Sequence, residues 1–282
     1  MNKDFWSVPQ DDDAAMMVRP VGREVPRSAR PVNFLATSDA TAMIERCPGT
    51  ASLLPKLIDA LRRQEVDQPG VLFDITEVPE QDRDLITQTL GEGEVQGEAV
   101  LPFGVRVQIQ EAVMAGVWRL RFTDSTDRLV GDYIEVASIP AVVQQACSAL
   151  PASFGHGPAP EGAMNVMPLL AEIADRAGRH QSGDPAHVIT FSLFPMTSQD
   201  MEFLQATLGN GPVQLTSRGY GTCRVVSTGV RNVWSVQFHN TMGAIILNTL
   251  EICAIPAVAL AAKEDFGDSA IRLGEIEEAY FK

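Results

Sequence analysis

Cysteine is scarce and scattered. Cys47, Cys147, Cys223 and Cys253 stand alone, with no CxxC pair, so neither a disulfide scaffold nor a zinc knuckle is signalled. Basic residues are short as well: 22 Lys and Arg face 36 acids, for a formal charge of -14. A surface of that sign repels phosphate backbones, which argues against a general nucleic-acid binder and favours a partner with a basic face. Long apolar runs are missing. The longest, such as residues 254–262, are too short to cross a bilayer, and residues 1–33 hold no apolar signal core. The sequence therefore reads as cytoplasmic. Phosphate-loop motifs of the GxGxxG or GxxxxGK(S/T) type are also absent, and with them the usual nucleotide cradle.

What is present is a repetition. LGEGEV (90–95), GVWRLRF (116–122) and YIEVASIPAVV (133–143) are followed by LGNGPV (208–213), VWSVQF (233–238) and LEICAIPAVAL (250–260). From Trp118, Phe122, Glu135, Ile139 and Pro140 to Trp234, Phe238, Glu251, Ile255 and Pro256 the offset is a constant 116; from Leu90 to Leu208 it is 118. The expected organisation is a disordered, Pro- and Arg-rich N-terminal arm (1–33), a first unit (34–150), a linker (151–162) and a second unit (163–282). Pro151, Pro158, Pro160, Gly155, Gly157 and Gly162 make up half of that linker and mark a boundary.

Periodicity predicts the same order of elements in both halves. A helix capped by Thr50 or Ser52 carries Leu53, Leu54, Leu57, Ile58 and Leu61, with Pro55 in its first turn. A buried strand covers 71–75, a short helix runs from Pro79 to Gly91, and strands cover 95–101, 105–112, 117–123 and 129–137, with a helix from Pro140. In the second half come a helix with Pro168 in the place of Pro55, a strand at 187–191, a helix at 198–207, strands at 213–217, 221–227, 232–238 and 244–252, and a helix from Pro256. A further amphipathic helix beginning after Ser269 would lie across the domains or dock on a partner. The fold class is α+β, a tandem duplication of one unit in which helices cover a mostly antiparallel sheet.

The glycine turns at 91–93 and 209–211 read as helix ends passing through left-handed backbone into a strand. Glu135 and Glu251 share one place in the two units. Each could cap the helix that follows, meet a basic group on a partner, or, given a second positioned acid or base, act in acid catalysis. Trp118 and Trp234 fit a sheet–helix core; partly exposed, they would serve as interface anchors. Polar chemistry concentrates in the second unit, at Cys223, Arg224, Arg231, Asn232, His239 and Asn240, where the first has Val107, Met114, Ala115, Gly116, Thr123 and Asp124 at or near the same places. Strand alternation puts Asn232, Trp234, Val236 and Phe238 on one face and Arg231, Val233, Ser235, Gln237 and His239 on the other. Cys223, Cys253 and His239 are the one conceivable metal set, without diagnostic spacing. No paired Cys–His nucleophile is evident.

Residues 219–273, with RNVW, LE-x-x-x-IP and EDF-x-DS, resemble the C-terminal region of the HupH/HyaF family of hydrogenase expression and formation proteins. Residues 90–139 resemble the same pattern more loosely. The family signature falls on Gly219, Gly221, Arg224, Arg231, Asn232, Trp234, Asn240, Leu250, Glu251, Pro256, Glu264, Asp265 and Ser269. The resemblance implies a cytoplasmic accessory protein in maturation of a nickel–iron uptake hydrogenase. It would have no catalytic residue and no cofactor, and would bind a hydrogenase subunit or another maturation factor. Arg231, Asn232, Trp234, Asn240, Arg224 and Glu251 are the expected partner-binding residues. The alternative is a metallochaperone or metal-linked redox factor using Cys223, Cys253 and His239.

Overall fold

A computed structural model describes residues 45–219 and 221–281; the arm expected over 1–33 lies outside the described residues. Helix α1 (Pro48–Arg63) begins before the expected caps. Pro48 presets the backbone of its first turn, while Thr50 directs its N–H and its hydroxyl to Asp82 Oδ1, at 2.6 and 3.0 Å. Pro55 therefore lies inside the helix, where its missing N–H leaves one carbonyl of the previous turn without a helical partner. Leu53, Leu54, Leu57, Ile58 and Leu61 are all buried, as a 3.6-residue apolar stripe requires.

Strand β1 (Val71–Asp74) is followed by α2 (Glu80–Leu90), which ends at Gly91 with φ 63°. Strands β2 (Val95–Val100), β3 (Arg106–Glu111), β4 (Val117–Thr123) and β5 (Leu129–Val136) come next, then α3 (Ala141–Ser148). The remaining elements are α4 (Val166–Arg179), β6 (His187–Thr190), α5 (Ser198–Leu208), β7 (Asn210–Gly219), β8 (Gly221–Thr228), β9 (Val233–His239), β10 (Ile245–Ile252) and α6 (Lys263–Tyr280). The protein is thus α+β with antiparallel sheet. Strand β1 is not buried as expected: Val71 and Leu72 are 42% and 54% exposed, because β1 stands at the end of the strand order with β5 as its neighbour.

The chain forms two compact units, neither continuous in sequence. One comprises residues 45–96, Phe103–Ala141 and 260–281, the other Gly97–Pro102 and Val142–Ala259. In the first, the strands run β1-β5-β4-β3, and α1 and α2 pack on Val117, Ile134 and Val136. In the second, β7-β8-β9-β10-β6 follow in order, and α4 and α5 pack on Val233, Leu250 and Ile252. Two helices cross the repeat boundary: α6, last in the described chain, joins the core of α1, and α3, next in the chain after β5, groups with β7–β10.

The helix expected from Pro256 does not form there. A single 3-10 turn spans Ala257–Ala259, and α6 starts only at Lys263. Its start is set by Asp265, whose carboxylate accepts the Ala262 N–H at 2.7 Å, with Glu264 beside it in the first turn, where the helix dipole favours negative charge. Ser269, expected to precede this helix, lies inside it and donates to the Ala115 carbonyl at 2.9 Å. Phe266, Ala270 and Leu273 are buried against α1, so the apolar side that would otherwise dock on a partner is spent within this unit.

Two buried carboxylates fix the long helices. Asp82, on α2, accepts from Thr50 at the start of α1. Asp200, on α5, accepts at Oδ1 from the N–H groups of Met164, Asn165 and Val166 (2.8, 3.0 and 3.0 Å) at the start of α4. Its Oδ2 accepts from the Thr197 N–H and hydroxyl. Each helix pair is thereby locked through groups that a helix N-terminus cannot satisfy internally.

Candidate functional site

The glycine turns carry out the structural task expected of them. Gly91 and Gly209 take φ of 63° and 65° at helix ends. Gly93 and Gly211 pass so close to the Ala112 and Thr228 carbonyls that a Cβ would lie 2.2 Å from either oxygen.

Trp118 and Trp234 are buried, and each indole N–H donates to a carbonyl just past the next strand, Ala137 at 2.9 Å and Cys253 at 3.2 Å. The core reading therefore holds. Asn232 has φ 63° in the turn between β8 and β9, where Gly116 has φ 81° between β3 and β4. Their carbonyls accept from Cys253 N–H (2.9 Å) and Ala137 N–H (3.0 Å). The two turns differ here because Phe266 of α6 sits over Gly116, with its Cε1 2.4 Å from where a Cβ would be. Asparagine is the residue that tolerates left-handed backbone while keeping a side chain. Replacing Asn232 by Gly is expected to change stability by less than about 1 kcal/mol, and replacing it by Val to cost about 1–3 kcal/mol. Urea midpoints of the two variants check this; equal midpoints would remove the conformational explanation.

Asn240 opens the β9–β10 loop. Its Oδ1 accepts from Met242 and Ala244 N–H, both at 2.9 Å, as Asp124 accepts from Thr126 and Arg128 N–H in the β4–β5 loop. Asn232 and Asn240 thus bracket β9, roughly 26 Å apart at strand spacing. Arg231 is exposed beside Asn232, and its backbone N–H donates to the Pro151 carbonyl at 2.9 Å.

Cross-strand partners share a sheet face. Arg224 lies opposite Gln237, which lies opposite Asn248, and Thr222 lies opposite His239. These form a polar row on the side of the sheet that carries α4 and α5. Among the described residues, His239 Nδ1 and Asn248 Oδ1 are buried without a hydrogen-bond partner, and burial lowers the His239 pKa and that of half-buried Arg224. Alternation expected of β9 is present in register but not in exposure, since both faces of the strand are covered.

Cys223 lies opposite Phe238, one step out of phase with His239, so the cysteine and the histidine project from opposite faces of the sheet. The conceivable set of Cys223, Cys253 and His239 is therefore not brought together, and among the described residues no group of three or more His, Cys, Asp or Glu is placed to hold a metal ion. Burial, then the nearby Glu251 carboxylate, pushes the Cys223 and Cys253 thiols up to about 11 and about 12, far from a reactive thiolate. His187 pairs with Glu172 at 2.7 Å. Glu135 does cap the next helix, accepting the Ala141 N–H at 3.0 Å. Glu251 instead accepts from the Thr249 hydroxyl at 3.4 Å, because no α-helix follows Pro256.

The first unit is not the poorer of the two in chemistry. Gln108, Arg121 and Asp132 face one another across β3, β4 and β5, at the places of Arg224, Gln237 and Asn248 in the second. The sequence signal was the alternation of Val117, Arg119 and Arg121 against Trp118, Leu120 and Phe122. Comparing single positions missed it, because the arginine sits on β4 in one unit and on β8, the counterpart of β3, in the other.

Comparison with known proteins matches the HupH hydrogenase expression protein C-terminal conserved region twice, at residues 49–156 and 163–280. The chain belongs to the HupH/HoxQ/HyaF family of hydrogenase expression/formation proteins. It is 68% identical over 282 residues, the full length of both chains, to hydrogenase expression/formation protein HupH of Rhizobium leguminosarum bv. viciae. HoxQ of Cupriavidus necator is 43% identical over 80% of this chain and 79% of its own. The hydrogenase-1 operon protein HyaF of Escherichia coli K12 is 32% identical over 95% of this chain and 92% of its own. A solved structure of hydrogenase expression protein HupH from Thiobacillus denitrificans is 29% identical, covering 39% of this chain and 92% of that one, with a TM-score of 0.37. Among the described residues no helix is long and apolar enough to cross a membrane.

Proposed function

We propose that this protein is a cytoplasmic, non-enzymatic accessory factor in nickel–iron hydrogenase maturation, which holds a hydrogenase subunit or another maturation protein. Full-length kinship with HupH of Rhizobium leguminosarum carries the reading. Two copies of one ancestral unit, in sequence 34–150 and 163–282, form its scaffold, and the second presents the recognition surface. Arg224, Arg231 and Glu251 supply its polar contacts. Asn232, Trp234 and Asn240 act by setting the turn, the strand and the loop on which those contacts stand.

Exposed apolar side chains support this placement. Met242 and Ile246 are 90% and 67% exposed at the loop that Asn240 braces, with Leu247 beside them. Apolar groups on a braced loop suit association, since holding them in place costs little further entropy on binding. The two ends of β9 are too far apart for one pocket but fit within one protein interface of about 800 Å² a side. Affinity capture from hydrogenase-expressing cells tests the surface. The Arg231→Glu/Met242→Asp variant, folded as judged by its unfolding midpoint, is expected to retain at least about tenfold less hydrogenase subunit or maturation factor, since centrally placed contacts cost 2 kcal/mol or more each. Undiminished capture would overturn the assignment.

A further inference from the structure

Beneath the C-terminal end of α2, the first unit has a cleft bounded by Thr87, Leu90, Glu92, Gln108, Arg119 and Arg121. About 60 Å³ of it is open to water-sized groups, room for roughly four of them. The two arginines differ in state. Arg119 is fully engaged: its Nε and Nη2 donate to both oxygens of Asp132 at 3.0 and 2.8 Å, and its Nη1 donates to the Thr87 hydroxyl. Arg121, its neighbour on the same face, is half-buried and has no hydrogen bond or ion pair among the described residues. Asp132, opposite it on β5, has both carboxylate oxygens committed to Arg119. Opposite it on β3, the Gln108 Oε1 is buried and also lacks a partner among the described residues. A half-buried guanidinium fork beside an orphaned amide oxygen costs free energy, and a matching ligand recovers it.

We propose that this cleft binds a carboxylate bearing a neighbouring N–H or O–H donor, with the carboxylate on Arg121 and the donor on Gln108 Oε1. The apolar wall of Leu90 and Ala112 accommodates the carbon between the two groups. Arg119, committed to Asp132, bounds the cleft, and Glu92, which with Asp132 already offsets part of the Arg121 charge, limits the site to a single acid group. The chemistry is that of an α-acylamino or α-hydroxy acid, and the same pair of groups occurs at the C-terminal residue of a protein chain. The site is built from residues of the first unit and shares none with the surface assigned to partner capture, so the two proposals fail independently.

Titration calorimetry of the full chain at constant ionic strength, with N-acetylglycine, N-acetylglycinamide, acetate and an acetylated pentapeptide with a free or amidated C-terminus, tests the proposal. Saturable binding of N-acetylglycine is expected, weakened at least about tenfold in Arg121→Gln, with no binding of N-acetylglycinamide or of the amidated peptide. Acetate, lacking the donor, should bind more weakly, and Gln108→Leu should abolish that difference. A free-acid peptide that binds tighter than N-acetylglycine identifies a chain terminus as the natural ligand; equal affinity identifies a free small acid. Absence of saturable binding by any carboxylate, or equal binding by an Arg121→Gln protein whose unfolding midpoint is unchanged, overturns the site.

Discussion

Truncation after Ala262 is expected to unfold the unit built on α1 while sparing β8–β10. Helix α6 and the residue that follows it place Phe266, Ala270, Leu273 and Phe281 in the same core as Leu54, Leu57, Ile86 and Val136. Burying two phenylalanines and a leucine contributes roughly 5–9 kcal/mol, comparable with the whole stability of a domain. The Ser269 hydroxyl bond to the Ala115 carbonyl and the Ala261 N–H bond to the Ser138 carbonyl, at 2.9 Å each, hold the same edge. Hydrogen exchange should show α1, α2 and β5 losing protection in the truncated chain, with β8–β10 unchanged. Retained protection in α1 would show that its core closes without α6. The single change Phe266→Ala, which leaves the helix in place, should cost about 3–5 kcal/mol.

Replacing Asp200 by Ala is the point change with the next largest expected effect. Its carboxylate accepts from four backbone N–H groups and one hydroxyl, and removing it leaves these donors facing a buried void. A loss on the order of 3–5 kcal/mol follows, as for breaking other buried charged networks. Asp200→Asn, which keeps shape and part of the acceptor capacity, should lose less. Burial raises the pKa of this carboxyl, but the N–H groups of Thr197, Met164 and Asn165 outweigh it and hold it down at about 2, against an ordinary 3.8. Because the folded value is depressed, its stabilisation is complete above the unfolded pKa near 4 and disappears as pH falls through about 2. Urea unfolding between pH 7 and pH 2 should show the wild-type advantage over Asp200→Asn shrinking in that window. A constant advantage would mean that the charge contributes nothing.

Much of the fold was legible because it rests on local rules. The positive-φ glycines at 91 and 209 and the two-residue alternation of β3 and β4 could be read directly. Helix starts were harder, since they depend on distant groups: Thr50 was free to act as a cap in the sequence, but in the fold it serves Asp82. Likewise, α3 and α6 carry no local mark of which core they will join. In the candidate site, the signature residues were visible but their tasks were not. Asn232 and Asn240 are polar letters in a sequence and backbone devices in the structure, while Arg121 is one member of an alternating strand until the fold sets Gln108 and Asp132 across the sheet from it.

The placement of α6 also sets a timetable for synthesis. The unit that contains α1 takes residues as far as Phe281 into its core, whereas the core that α4 and α5 form with Val233, Leu250 and Ile252 includes no described residue of α6. The helix made earlier is therefore the later to be covered. A nascent chain exposes the apolar face of α1 until α6 has followed it out of the ribosome.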